Sequence, residues 1–100
     1  MKKAADILFL LATFSLRTGQ IGKAITYTSI GRELFPDDQR LIEAHAYALM
    51  LHEQYQDADA LLATTTASTR NLEFLRSRTA ILLDLPKDER QRRLRRYLAF

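Results

Sequence analysis

The stretch that decides the fold is "TGQIGKAITYTSIGRELFPDD", Thr18–Asp38, which holds all three glycines of the chain and one of its two prolines. Two readings compete for it. A glycine-rich run ending in Gly-Lys is one way to cradle a phosphate. A glycine turn, a helix and a proline stop is the other. The phosphate reading fails on spacing. Such a loop needs four residues between its first Gly and Gly-Lys, so that backbone N–H groups wrap the anion, and then Ser or Thr for magnesium. Here only two residues separate Gly19 from Gly22, Ala24 follows Lys23, and no strand precedes the loop.

The turn reading extends outward on both sides. Gly19 falls where a first helix must end, and glycine takes the left-handed cap conformation at little cost. Pro36 ends the second helix, since proline lacks an N–H and the residue before it avoids the helical region. Asp37 or Asp38 then caps a third helix and complements its dipole. "ATTTAST", Ala63–Thr69, is a poor helix interior and a good link, with Ser68 or Thr69 as the next cap. Pro86 separates the last two helices, and Asp88 and Glu89 sit in the first turn of the final one.

The segments repeat. A shift of 34 residues aligns Leu8 with Ile42, Ala12 with Ala46, Ala24 with Ala58 and Thr28 with Leu62. Carried on, the same shift places Ala80 under Ala46 and Leu83 under Leu49. The expected architecture is all-α, one domain over residues 1–100. Three antiparallel helical hairpins, about 4–35, 38–66 and 70–98, stack as a short superhelix. Composition agrees: 47% of residues are hydrophobic and 27% charged, and Gly and Pro are scarce. The absence of cysteine removes disulfides and thiolate metal sites and suits a reducing compartment. The opening "MKKAADILFLLATFSL" imitates a secretory signal, but Asp6 interrupts its start, Arg17 closes it, and it is too short to span a membrane.

Small residue, glycine turn, small residue, then proline on a 34-residue period resembles the tetratricopeptide repeat. The second unit departs from that pattern with Glu53 at the turn glycine and Arg70 at the proline, and the third retains little of it.

No constellation marks an active site. His45 and His52 are two turns apart with no carboxylate at metal-binding spacing, and are read as one packed and one surface histidine. Catalytic residues, metal and cofactor are all expected to be absent, and no small-molecule substrate is implied. Functional interest moves to "ILFLLATFSL", which is apolar nearly all round. Leu8, Leu11, Ala12 and Ser15 take the packing face, leaving Phe9, Thr13 and Leu16 for the concave side. The 34-residue shift puts Glu43, Tyr47 and Met50 in those places in the second unit, and Ser77, Ile81 and Asp84 in the third, with Phe74 pointing the same way. The candidate groove is therefore Phe9, Thr13, Leu16, Tyr47, Met50, Phe74, Ser77 and Ile81. Such a surface is costly to leave wet and marks an interaction site for an amphipathic helix. The competing readings are a compact core or a dimer interface, with a homodimer closing the groove of the unliganded protein.

The net charge of +3 is concentrated at one end, since residues 87–100 carry +4 and the rest sum to −1. "RQRRLRRYLAF" sets Leu94, Tyr97 and Leu98 as an apolar stripe among arginines, the pattern of a terminal helix docked on one face. Arg92, Arg93, Arg95 and Arg96 are then solvated or available to an acidic partner. Nucleic-acid binding is the third and least favoured reading.

The apolar opening helix running into "LRTGQIGKA", the arginine-rich close "RRLRRYL" and the length near a hundred residues resemble the small tetratricopeptide-type chaperones of bacterial type III secretion systems, YscY-like or YscG-like. That resemblance implies a cytoplasmic, non-enzymatic protein, free or at the cytoplasmic face of the secretion apparatus. It would hold a small secreted or needle-type helical subunit, alone or with a co-chaperone, until export. A generic adaptor in a standing cytoplasmic complex is the alternative.

Overall fold

The computed structural model describes residues 2–100 and contains six helices among them: α1 Lys2–Arg17, α2 Ile21–Leu34, α3 Gln39–Leu51, α4 Tyr55–Leu62, α5 Arg70–Leu82 and α6 Lys87–Leu98. They pack as adjacent pairs, α1 with α2, α3 with α4 and α5 with α6, giving three stacked helical hairpins. α1, α3 and α5 also approach one another in sequence, whereas the backbones of α2, α4 and α6 stay apart, with the Arg93–Asp59 pair reaching between α6 and α4. The first helices of the hairpins therefore form one continuous layer, and the second helices fan apart. Among the described residues no helix is long and apolar enough to cross a membrane.

One turn geometry recurs three times. Gly19, Glu53 and Asp84 all adopt left-handed backbone conformations, with φ of 77°, 61° and 51°. At each, two backbone bonds close the preceding helix. The N–H of Gly19, Glu53 and Asp84 donates to the carbonyl three residues back, and the next N–H donates to the carbonyl five residues back at 2.8–3.0 Å. This Schellman pairing satisfies the last helical carbonyls. Only the first turn has the glycine that makes it easy, so the second and third hold a side chain in a disfavoured region.

These turns also fix the register, and they correct the sequence alignment of the third unit. Gly19 and Glu53 are 34 residues apart, but Glu53 and Asp84 are 31 apart. The capping residues agree: Asp38 caps α3 by accepting from the Arg40 N–H, and Thr69 caps α5 by accepting from the Leu72 N–H. The second unit is three residues short because α4 stops at Leu62, well before α2 does in its own hairpin. The link after it is tied down by Arg76, whose guanidinium donates to the carbonyls of Leu62, Thr65 and Ala67 at 2.9–3.1 Å. In the true register Ser77, rather than Ala80, stands where Ala12 and Ala46 stand.

Those small residues carry the packing. Ala12, Ala24, Ala46 and Ala58 are all fully buried, and each lets its partner helix approach closely. Gly31 does the same between hairpins, since a Cβ there would lie 2.8 Å from Leu41, itself fully buried. The core gathers between the second and third hairpins, where Ile42, Leu49, Met50, Leu61, Leu62, Leu72 and Leu75 pack together.

α6 is the exception. It has no buried residue, and Leu94 and Leu98, expected to dock, are exposed. The helix is held instead by Tyr97 against Phe74 and by Arg93, which reaches across to Asp59 of α4. Of the expected apolar stripe Tyr97 docks, and Arg93, one turn before it, adds a polar clamp.

Candidate functional site

The layer formed by α1, α3 and α5 bounds an open groove of ≈ 530 Å³. Phe9, Thr13 and Leu16 come from α1, Tyr47 from α3, and Phe74 from α5, so five of the eight residues expected there share one cavity. Ala44 and Leu75 complete its floor, and Arg17, Arg40, Glu43 and Asn71 stand at its rim.

The remaining three are placed elsewhere. Met50 is buried and packs in the core with Leu49 and Leu62. Ser77 is buried at the small-residue position of α5. Ile81 is exposed, two turns along α5 from Phe74 but outside the cavity. For Ser77 and Ile81 the cause is the three-residue deficit: the α5 residue equivalent to Phe9 and Glu43 is Phe74, not Ser77.

The groove walls are stiffened from behind. The Arg40 guanidinium lies 5.0 Å from the centre of the Phe9 ring, and it is itself held by Asp6 at 2.8 Å and Asp38 at 3.0 Å. That cation–π contact fixes one wall. Phe74 meets Tyr97 of α6 edge-on, with centroids 5.5 Å apart and planes at 61°, which fixes the other. Two of the polar groups along the groove already have partners. The Thr13 hydroxyl donates to the Leu10 carbonyl at 3.0 Å, and Glu43 Oε2 accepts from the Thr69 hydroxyl at 3.3 Å. What the groove offers a ligand is chiefly apolar surface, and Tyr47 and Phe74 are each 44% exposed.

The 34-residue shift already set Glu43 on this side, whereas the rim residue Arg40 carried no signal as a single residue. A signal existed in the pairing, because the 34-residue shift sets Arg40 beneath Asp6, and these two side chains do meet.

The four candidate arginines of α6, Arg92, Arg93, Arg95 and Arg96, divide. Arg93 is committed to the fold: its Nη1 donates to Asp59 Oδ1 at 2.6 Å, to the Arg76 carbonyl at 3.0 Å and to Thr79 Oγ1 at 3.2 Å, while its Nε donates to Glu89 at 2.7 Å. Glu89 is held below the ordinary carboxylate range chiefly by the hydrogen bond from Arg93. Arg92 is exposed and pairs with Glu89. Arg95 and Arg96 are exposed and form no ion pair among the described residues.

Elsewhere, His45 is buried with Nδ1 unpartnered, at the edge of a second cavity of ≈ 450 Å³ that also holds Arg32 and Asp57. Burial, assisted by the charge of Arg32, pushes its pKa down to about 4. His52 is exposed. Among the described residues no group of three or more His, Asp or Glu is arranged to hold a metal ion.

Comparison of this chain with protein-family models, with curated proteins and with solved structures finds no match in any of the three.

Proposed function

We propose that the chain is a non-enzymatic chaperone that seats one amphipathic helix of a partner protein in the groove between α1, α3 and α5. The observation that carries this reading is the grouping of Phe9, Leu16, Tyr47 and Phe74, drawn from three helices, around one open apolar cavity. Leaving large aromatic side chains half in water costs hydrophobic free energy that a covering helix recovers. A helix presenting apolar residues at i, i+3 or i+4, and i+7 lays such a stripe along the groove. The walls are already held by Arg40 and Tyr97, so little side-chain entropy remains to be lost on binding.

The mechanism is sequestration. A helix whose apolar face would otherwise drive self-assembly is covered until it is handed on, and no bond is made or broken. The resemblance of "LRTGQIGKA" and "RRLRRYL" to the type III secretion chaperones supports a small exported or needle-type subunit as the cargo.

The test is co-expression with candidate cargo followed by thermal denaturation. A ligand that binds only the folded state, at a hundredfold excess over its Kd, adds about 2.7 kcal/mol of stability. Phe9→Glu and Tyr47→Glu should abolish that gain while leaving the helical circular dichroism intact. An undiminished gain in both variants rejects the groove.

A further inference from the structure

The two ends of the groove carry charges of opposite sign. The first helices of the three hairpins start side by side: Asp6 of α1 meets Arg40 of α3, and the Thr69 hydroxyl at the head of α5 donates to Glu43 of α3. Asp6, Asp38 and Glu43 outnumber Arg40 at this end, and Arg40 is spent on the two aspartates and the Phe9 ring. Glu43 gives only its Oε2, to Thr69.

At the other end the sign is positive. Arg17, in the last turn of α1, lines the groove beside Leu16. Arg78 stands 31 residues after Tyr47, so in the true register it holds on α5 the place of Thr13 and Tyr47, one turn beyond Phe74. Both arginines are exposed, and neither forms an ion pair among the described residues.

Phe9 to Leu16 is about 10 Å along α1, the reach of an apolar stripe that runs from i to i+7 on a partner. Just beyond that stripe a seated helix meets Arg17 and Arg78 at one end and Glu43 at the other. Carboxylates are favoured in the first turn of any helix and ammonium groups in the last, because each opposes the local pole of the helix dipole. A helix laid antiparallel to α1 brings both of these charged ends to their complements, whereas one laid parallel sets like charges together. On the premise that the groove seats the cargo, we infer that the cargo helix lies antiparallel to α1, with acidic side chains in its first turn against Arg17 and Arg78 and basic ones in its last turn against Glu43. The other side of α1 offers no such choice. Leu11, expected on the packing face, lies there with Ile7, Leu10 and Phe14, all four exposed, but Arg17 belongs to the groove.

Three synthetic helices of about 18 residues, sharing leucines at i, i+3, i+4 and i+7, serve as probes. One carries glutamates in its first turn and lysines in its last, the second has them exchanged, and the third has glutamine at all those positions. Fluorescence anisotropy reads their binding. The glutamate-first peptide should bind at least about tenfold more tightly than the exchanged one, an advantage that shrinks as salt is added. The exchanged peptide is also the weaker helix, so the protein is altered as well. Arg17→Glu with Arg78→Glu, both at exposed positions, should weaken the glutamate-first peptide at least about tenfold and leave the glutamine peptide unchanged. Tyr47→Glu should abolish binding of all three, and Leu10→Glu should leave it unaltered. Equal affinities of the two charged peptides overturn the inference, while a glutamine peptide still bound upholds the groove. A preference that survives Arg17→Glu with Arg78→Glu overturns it too, as does binding that Leu10→Glu removes. So does a concentration-dependent dimer that Tyr47→Glu disperses and the glutamate-first peptide fails to dissociate. Failure of all three peptides to bind rejects the groove and the inference with it.

Discussion

α1 closes on α2 through Ala12 and Ala24, both fully buried, whereas α6 has no buried residue and closes on α5 with the help of Arg93. The same hairpin plan is thus held by contact at one end of the stack and by charge at the other. Contact between small side chains needs only a narrow strip of each helix, which leaves two further faces of α1 apolar and open. A charge clamp uses its side chains up. Arg93 is surrounded by Asp59, Glu89, Thr79 and the Arg76 carbonyl, and it has nothing left to offer a partner. The end that is bound with the least surface has the most to give.

Acid separates the two ends most strongly. His45, between the first two hairpins, has a folded pKa of about 4 against an ordinary value near 6.5. The unfolded chain takes up that proton first, so stability is full above pH 6.5 and falls as the pH drops towards 4, by at most about 3 kcal/mol. Arg32 and Asp57 share its cavity, and Arg32 opposes protonation. Urea titrations across this range should show the slope, and His45→Gln should flatten it. The clamp on α6 responds lower. The depressed pKa of Glu89 contributes stability above the ordinary carboxylate value, and this is lost as the pH falls through the folded value. Hydrogen exchange on acidification should then find protection falling first around His45 and only at lower pH in α6.

Overfilling the contact end comes next. Ala12→Leu adds volume where none is free and should cost about 1–3 kcal/mol, lowering the melting temperature of the whole molecule. Breaking the clamp should act locally. Asp59→Ala leaves the partly buried Arg93 without its closest acceptor and should cost about 1–2 kcal/mol, with amide protection lost in α6 and retained in α1–α3. A uniform loss of protection would mean that α6 is not held separately. The smallest effect belongs to Leu98→Ala. That side chain is 67% exposed, so truncating it should change stability by less than about 0.5 kcal/mol; a larger change would restore the docked apolar stripe that the sequence suggested.

Much of the scaffold was legible because its rules are local. Alanine at 12, 24, 46 and 58, glycine at 19 and proline at 36 each act within a turn or two of themselves. The choices left open between Asp37 and Asp38, and between Ser68 and Thr69, were settled in favour of Asp38 and Thr69, whose side chains accept the capping N–H. The third hairpin was misaligned by three residues because its register depends on where α4 stops, and that is fixed by Arg76 reaching back to hold the link. No sequence period records such a contact. The same slip sent Ser77 to the groove and missed its role as a small packing residue. Met50 was misplaced for another reason: the 34-residue shift matches it to Leu16, but the core between the second and third hairpins covers it. Arg93 looked like its neighbours on the sequence, and only the position of Asp59, 34 residues earlier, distinguishes it.

The central claim is that the groove, and not the convex side, receives the partner helix. A photo-crosslinking amino acid placed at Thr13, within the groove, and separately at Ser29, in the cavity of His45, tests it in the intact protein with its co-expressed cargo. Crosslinks to a single helical segment of the cargo from position 13, and none from position 29, are the predicted result. Equal crosslinking from both positions, or crosslinking from position 29 alone, would contradict the account.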